Sequence, residues 1–259
     1  MNRLSKVFAF ILAVVVLTQC GHHVENEKWK KIFEKYDAKG TFVLKNLSDN
    51  RMTVYNEKRS DSLYLPASTF KVLNSMIALQ TSAIGSVDDT IKWDGEDKGW
   101  ALWNRDHTMR SAMPVSCVWF YQDLAKRIGK EKMQLWINKV NYGNRNIEKK
   151  IDDFWLKGDL RITAKEQVAF IEKLIYNQLP FDDQIQEIVK EIMITDSTDT
   201  YTIHSKTGWA KKIGWNVGYV QSKNNQWIFG MNMDLDDIKN AKFRKIITYE
   251  ILRLEKIIE

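Results

Sequence analysis

Ser68 and Lys71 lie three residues apart in the stretch "LYLPASTFKVLNSMIAL", which otherwise reads as a buried helix. Residues at this spacing share one face of a helix, so the lysine amine can reach the serine hydroxyl. The backbone N–H groups at the start of a helix are unpaired and can stabilise a developing oxyanion. A serine there, with a base one turn later, predicts a nucleophile activated for acyl transfer.

Burying Lys71 in this position costs free energy, because a charged amine among apolar side chains must be paired or become neutral. An S-x-x-K match alone is weak evidence, since about one is expected by chance in a chain of this size. The apolar neighbours make a solvated lysine the less favoured interpretation. They are Phe70, Val72, Leu73, Met76, Ile77 and Leu79.

A second candidate element is Lys206-Thr207-Gly208, in the strand-like run "YTIHSKTGWA". A lysine and a hydroxyl on a strand can hold a substrate carboxylate, and glycine lets a substrate approach the backbone closely. S-x-x-K followed by S-D-N and K-T-G is the signature of class A β-lactamases and penicillin-binding proteins. Here the first and third motifs are present, and the middle motif differs.

The full set of motifs resembles that of the class D β-lactamases, the oxacillinases, over essentially all of the mature chain. Each motif is weak by itself, whereas five in the family's order are specific. They are S-x-x-K at Ser68, S-x-V at Ser116, Y-G-N at Tyr142, W-x-x-G at Trp155 and K-T-G at Lys206. "WNRD" at 103–106, "MNMD" at 231–234 and Arg244 extend the match.

This resemblance implies a serine enzyme that opens the β-lactam ring through an acyl-enzyme and confers β-lactam resistance. Ser68 would be the nucleophile, and Ser116 would relay a proton to the leaving nitrogen. Lys71 would be the general base after carbamylation by carbon dioxide to N6-carboxylysine. Carbamylation requires a neutral amine, and burial can lower the pKa of a lysine by ~3–5 units. The chemistry therefore explains the buried lysine.

The resemblance also assigns substrate-binding and supporting residues. Lys206 and Thr207 of the K-T-G strand would meet the substrate carboxylate, with Arg244 as a second cation. The backbone N–H groups of Ser68 and Trp209 would form the oxyanion hole, next to Gly208. Among the supporting residues, Val118 would keep water out of the lysine pocket, and Trp155 would donate its indole N–H to the carbamate. Tyr142, Gly143 and Asn144 would shape the site. No cofactor other than carbon dioxide or bicarbonate is expected.

Other enzyme classes find little support in the sequence. A Ser-His-Asp hydrolase needs a histidine, and neither His107 nor His204 has a G-x-S-x-G motif to serve. No H-E-x-x-H motif, zinc-spaced ligand pair or P-loop occurs, so no metal site is expected. Cys117 is expected to be a small buried side chain rather than a nucleophile.

The serious alternative is a protein that binds β-lactams without turning them over. Extracellular sensor domains and penicillin-binding proteins share the Ser-Lys machinery but deacylate very slowly. A sensor would be tethered to a multi-span membrane domain, and a cell-wall peptidase would more often carry S-x-N as its middle motif. Both features are missing from the sequence, which favours the enzyme. The connection after K-T-G, which borders the binding cleft in the family that the chain resembles, is short, since only "WAKK" precedes "IGW". The substrate spectrum therefore stays open.

Strand-like runs lie near both ends of the chain, and helical patterns fill the middle. Strands are predicted within 41–56 and over 201–210, 215–222 and 226–234, and helices over 68–80, 116–128, 131–139, 163–178, 182–194 and 240–258. Residues 143–162 read as an ordered loop. The sequence therefore predicts a two-lobed α+β fold, with an antiparallel sheet built from both chain ends beside an all-helical lobe. The resemblance implies the DD-peptidase/β-lactamase-like fold.

The first twenty residues are typical of a secretory signal peptide, with Arg3 and Lys6 before the apolar run "VFAFILAVVVL". "LTQC" also resembles a lipobox, which would place a lipid on Cys20; both alternatives stay open. A single catalytic domain is expected over 21–259, in an exported, periplasmic protein without a transmembrane segment. Removing the signal peptide lowers the net charge from +6 to +4. So mild a charge disfavours a nucleic-acid partner. The resemblance implies a small-molecule β-lactam substrate, and a homodimer is left open.

Overall fold

A computed structural model describes residues 26–259 and contains a six-stranded antiparallel sheet whose strands come from both ends of the chain. The strands are β1 (Gly40–Asn46), β2 (Met52–Tyr55), β3 (Ile194–Ser197), β4 (Tyr201–Ala210), β5 (Ile213–Ser222) and β6 (Gln226–Asp234). They lie in the order β2-β1-β6-β5-β4-β3. This confirms the predicted α+β architecture. The predicted signal peptide and Cys20 lie outside the described residues.

Two helices, one from each end of the described chain, cover the outer face of the sheet: α1 (Glu27–Lys35) and α9 (Phe243–Leu254). Asn26 begins α1 by accepting a hydrogen bond from the Trp29 backbone N–H at 3.2 Å. The Trp29 indole packs edge-on against Phe42 of β1, with ring centroids 5.2 Å apart, and its Nε1 donates to Glu255 at 2.7 Å. The two ends of the chain are thereby joined over the sheet.

The opposite face of the sheet packs against the helical lobe, which contains the larger hydrophobic core. Its longer helices are α3 (Lys71–Gln80), α5 (Val118–Ile128), α6 (Lys130–Val140), α7 (Ala164–Ile175) and α8 (Asp183–Ile192), and its shorter ones are α2 (Glu57–Ser60) and α4 (Met109–Ala112). Helix α7 lies directly on β1, β5 and β6. Short 3-10 segments occur at Ala67–Phe70, Ala101–Trp103 and Ile238–Lys242.

Several predicted element boundaries need correction. The segment predicted as a helix over 68–80 begins as the 3-10 turn Ala67–Phe70, and α5 begins at Val118 rather than at residue 116. Ser116 has φ +56°, which no α-helix accommodates, so it precedes the helix. Strand β3 was not predicted, because its four residues directly follow the amphipathic pattern of α8. Helix α7 starts where predicted, because Thr163 and Glu166 form a capping box.

Residues 143–162 form the expected ordered loop, made of turns and bends and joined to the fold by a bridge between Tyr64 and Ile162. A hairpin turn joins β5 to β6, with the Ser222 N–H donating to the Asn225 carbonyl at 2.9 Å. Within the described part of the chain, no helix is long and apolar enough to cross a membrane.

Replacing Trp29 with alanine should lower the free energy of unfolding by ~3–5 kcal/mol, because it removes a fully buried ring that joins both chain ends over the sheet. Trp29→Phe should cost less, since it keeps most of the packing and loses the bond to Glu255. Urea unfolding measures both changes. Trp100→Ala is the matched control and should change stability by about 0.5 kcal/mol or less, because Trp100 is half exposed. An equal loss in both alanine variants would contradict this account.

Candidate active site

Ser68 lies in the 3-10 turn that leads into α3, at the boundary between the helical lobe and strand β4. Ala67 has φ +52°, and its N–H donates to the carbonyl of Trp155 at 3.0 Å, which fixes this unusual backbone conformation. A Cβ added at Gly208 of β4 would lie 3.1 Å from the Pro66 carbonyl and 3.3 Å from the Ala67 Cβ. The K-T-G strand therefore lies directly against the turn that carries Ser68, as closely as glycine permits.

Lys71 begins α3, and its Nζ donates to Ser68 Oγ at 2.7 Å. The lysine side chain is completely buried, and within residues 26–259 it forms no ion pair with a carboxylate. Burial lowers its pKa to about 7, an effect that Cys117 opposes slightly. Much of the amine is therefore neutral near pH 7, which a nucleophile or a base requires.

An aromatic ring lies over the lysine amine, and an indole N–H that is unpaired within residues 26–259 is buried on the loop that contacts the Ser68 turn. Its Nζ lies 5.3 Å from the centre of the Tyr121 ring, and burial raises the pKa of that tyrosine, which keeps the phenol neutral. Trp155 is fully buried and stacks on Phe70 with ring centroids 5.5 Å apart. The Trp155 Nε1 atom is buried without a hydrogen-bond partner among the described residues. A buried donor without a partner is unusual in a folded protein, and a bound acceptor would satisfy it.

Ser116 and Lys206 form the second half of the cluster. Lys206 Nζ donates to Ser116 Oγ at 2.9 Å and to the Thr207 carbonyl at 3.0 Å. Lys206 is almost fully buried. Burial holds its pKa well below the usual value, and the positive charges of Lys71, Arg244 and Lys245 lower it further. The site thus contains two buried lysines, each hydrogen-bonded to a serine.

Arg244 reaches the same strand from the first turn of α9. Its Nη1 donates to the Gly208 carbonyl at 2.5 Å and its Nε to the Ala241 carbonyl at 2.7 Å. A Cβ at Gly214 of β5 would lie 2.9 Å from Arg244 Cδ, so a side chain there would obstruct the arginine. Burial lowers the pKa of Arg244 to about 10, which still leaves it a cation at neutral pH.

The Y-G-N segment joins the two ends of the 143–162 loop. Gly143 has φ +52°, and a Cβ there would lie 2.0 Å from the Arg161 carbonyl. Asn144 Nδ2 donates to the Asp159 carbonyl at 2.8 Å, and Asn144 Oδ1 accepts from the Arg161 N–H at 2.9 Å. Tyr142 is buried edge-on against Phe70. These contacts fix the loop that carries Trp155.

The structure brings most of the sequence-predicted site residues together and leaves two of them at the edge of this cluster. Ser68, Lys71, Ser116 and Lys206 converge, whereas Val118 and the Trp209 side chain are partly exposed. Cys117 is a free, buried cysteine, as expected. Tyr121, which lies three residues after Val118 on α5, was not predicted as a site residue. The helical spacing from Val118 was the available signal for it.

The connection that follows K-T-G is shorter than an ordinary loop. Strands β4 and β5 pair as far as Ala210 and Ile213, which leaves Lys211 and Lys212 as the whole turn. Lys211 has φ +53°, as a tight two-residue hairpin requires. Among residues 26–259, no group of three histidine, cysteine, aspartate or glutamate side chains is arranged to hold a metal ion.

The comparisons with known proteins agree with this geometry. The penicillin binding protein transpeptidase domain family matches residues 25–253. The chain is 39% identical over 259 residues to β-lactamase OXA-48 of Klebsiella pneumoniae, covering 98% of each protein. Its fold matches the crystal structure of FUS-1 (OXA-85), a class D β-lactamase from Fusobacterium nucleatum subsp. polymorphum. That match has a TM-score of 0.88 and 38% identity, and it covers 91% of this chain and 100% of the other.

The chain belongs to the class D β-lactamase family. It is also 40% identical over 234 residues to the probable β-lactamase YbxI of Bacillus subtilis, covering 89% of this chain and 86% of that protein. The family membership and the DD-peptidase/β-lactamase-like fold inferred from the five motifs are thereby confirmed.

The Lys71 amine should titrate near pH 7 in buffer free of carbon dioxide, because burial disfavours its charged form. NMR of protein labelled at the lysine ε-carbon measures this titration, and Lys71→Met identifies the signal by its disappearance. Above the midpoint the amine is neutral and below it the amine carries its proton. A Lys71 signal that titrates near the ordinary lysine value of about 10.4 would contradict the geometry.

Proposed function

We propose that this protein hydrolyses the β-lactam ring of penicillin-type antibiotics through an acyl-enzyme on Ser68, and thereby confers β-lactam resistance. The observation that carries the proposal is the 2.7 Å hydrogen bond between Ser68 Oγ and a fully buried Lys71 that has no acidic partner in the described chain. The relatives named β-lactamases, at 36–40% identity over most of the chain, support the same activity.

Acylation would begin when the base at Lys71 removes the proton of Ser68 Oγ, which attacks the lactam carbonyl carbon. The resulting oxyanion would be held by the backbone N–H groups of Ser68 and Trp209. As the C–N bond of the ring breaks, the ring nitrogen must gain a proton. Lys206 donates to Ser116 Oγ at 2.9 Å, which leaves the Ser116 O–H free to donate to that nitrogen. The proton taken from Ser68 replaces the one that Ser116 gives up.

The chemistry of the groups around Lys71 supports a carbamate on its amine. The amine has the lowered pKa that reaction with carbon dioxide requires, and Trp155 Nε1 is a buried donor without an acceptor among the described residues. A carbamate would supply a carboxylate-like base. Trp155 would donate to it, and Val118 would limit the access of water from the α5 side. Deacylation would use the same base to take a proton from water as that water attacks the Ser68 ester. That proton would return to Ser68 Oγ as the ester C–O bond breaks and the open-ring acid leaves.

The substrate carboxylate would bind at the K-T-G strand. Lys206 donates to the Thr207 carbonyl and Arg244 to the Gly208 carbonyl, so two basic side chains lie along this strand, and Thr207 adds a hydroxyl. Gly208 has no side chain to block the substrate backbone. The two-residue turn at Lys211 and Lys212 leaves this end of the cleft without a long covering loop, so the substrate spectrum must be measured with penicillins and bulkier β-lactams together.

We also propose that the protein is exported to the periplasm as a single catalytic domain over 21–259. The signal-like pattern of the first twenty residues supports export, and "LTQC" supports a lipid on Cys20 as the alternative to removal of that residue. A homodimer is supported by the exposed edge strand β3, whose Ile194 is 41% exposed.

The purified mature chain should hydrolyse a penicillin over many turnovers, and the rate should rise when bicarbonate is added, since bicarbonate supplies the carbon dioxide that reacts with Lys71. Absorbance of the lactam ring measures the reaction. Ser68→Ala should abolish both acylation and turnover. Lys71→Ala should abolish turnover and remove the bicarbonate response.

The contrary result is a single stoichiometric burst that bicarbonate leaves unchanged. That outcome would mean acylation without deacylation, as in a sensor domain or a penicillin-binding protein. Turnover by Lys71→Ala equal to that of the parent would show that another group is the base.

A further inference from the structure

Gln167 is a buried polar residue on α7 that the mechanism above does not use. Its Nε2 donates to Thr69 Oγ1 at 2.7 Å, and Thr69 Oγ1 in turn donates to the Pro66 carbonyl at 2.7 Å. Gln167 and Thr69 are each only 1% exposed, so water cannot replace a partner that is lost. A chain of two buried hydrogen bonds therefore runs from α7 to the turn that carries Ser68.

The start of α7 is fixed on the sheet, which gives Gln167 a rigid support. The capping box of Thr163 and Glu166 defines the first turn, and the Gln167 N–H donates to the Thr163 carbonyl at 3.1 Å. A Cβ added at Gly230 of β6 would lie 2.9 Å from the Ala164 carbonyl, so helix and strand lie as close as glycine permits. The amide of Gln167 is thereby held at a constant place relative to the sheet.

The other end of the chain lies where the Ser68 turn meets the K-T-G strand. A Cβ added at Gly208 would lie 3.1 Å from the Pro66 carbonyl oxygen and 3.2 Å from Thr69 Cγ2. The two N–H groups of the proposed oxyanion hole flank this contact, since Ser68 precedes Thr69 and Trp209 follows Gly208. The contact therefore sets the spacing of the two donors. Such donors must lie about 3 Å from the developing charge, so a small displacement of the turn slows the reaction.

We propose that Gln167 is a positioning residue for acylation, which acts through Thr69 to hold the Ser68 N–H at its place in the oxyanion hole. The Gln167 N–H occupies a lone pair of Thr69 Oγ1, which leaves the hydroxyl hydrogen directed at Pro66. Hydrogen bonds in such a chain strengthen one another. The inference rests on the proposed acyl-enzyme, because the oxyanion forms only in that reaction.

The test measures the acylation rate constant of the mature chain with benzylpenicillin, by rapid quenching and mass spectrometry. Gln167→Met and Thr69→Val should each acylate about tenfold more slowly, since each breaks the hydrogen-bond chain. The double variant should be no slower than the slower single variant, because both substitutions remove the same effect. Thr69→Ser keeps the hydroxyl and should acylate within about twofold of the parent.

Gln186→Met is the matched control. Gln186 is a fully buried glutamine on α8, and its Nε2 donates to the Leu179 and Phe181 carbonyls rather than to the Ser68 turn. Both glutamine variants should be less stable in urea, but only Gln167→Met should acylate more slowly. In Gln167→Met/Thr69→Val both buried partners are apolar, so stability should recover in part while acylation stays slow. Acylation that follows stability in every variant would indicate a merely structural role and overturn the proposal.

Hydrogen exchange of the Ala67 N–H, which donates to the Trp155 carbonyl, reports on the same turn without any β-lactam. Relative to the N–H groups of β5, it should exchange about tenfold faster in Gln167→Met and at the parent rate in Gln186→Met. Unchanged exchange in Gln167→Met, or acylation by that variant at the parent rate, would overturn the proposal. A parent that is not acylated at all would instead contradict the proposed function, and the exchange of Ala67 would still decide whether Gln167 holds the turn.

Discussion

The burial of the Lys71 amine beside Ser68, away from any carboxylate, is the constraint on which the rest of the site depends. An ammonium group in that position would lose its hydration without gaining a counter-ion, so its pKa falls to about 7. The ring of Tyr121 lies over the amine, and the side chain of Lys71 is completely buried, which maintains this desolvation. The neutral amine that results is both a hydrogen-bond partner for Ser68 and a group that can react with carbon dioxide.

The other elements of the site position side chains around Ser68 and that amine. The sheet, built from both ends of the chain, places β4 against the turn of Ser68, and the absence of a side chain at Gly208 allows the close approach. The loop from 143 to 162 returns beside the same turn and is fixed by the hydrogen bonds of Asn144. A site assembled from the first third, the middle and the end of the chain requires the complete fold.

The sequence predicted five of the six described strands, the longer helices and a set of candidate site residues, because hydrophobic periodicity and ordered motifs are local signals. It misplaced the starts of α3 and α5 by two or three residues. The positive φ of Ser116 has no local signature in the sequence, and β3 is too short for a pattern of its own. The pairing of Lys206 with Ser116 joins residues ninety positions apart, and the ring of Tyr121 over Lys71 joins two helices. Such contacts are properties of the folded chain, which no local pattern records.

The central claim is that the unpaired indole N–H of Trp155 and the desolvated amine of Lys71 together hold a carbamate. Carbon-13 NMR of the mature chain in labelled bicarbonate tests it most directly. The account predicts one slowly exchanging carbamate signal in the parent, no such signal in Lys71→Met, and a weakened signal in Trp155→Phe, which keeps an aromatic ring without the N–H donor. A parent without the signal, or a signal that persists in Lys71→Met, would contradict the account.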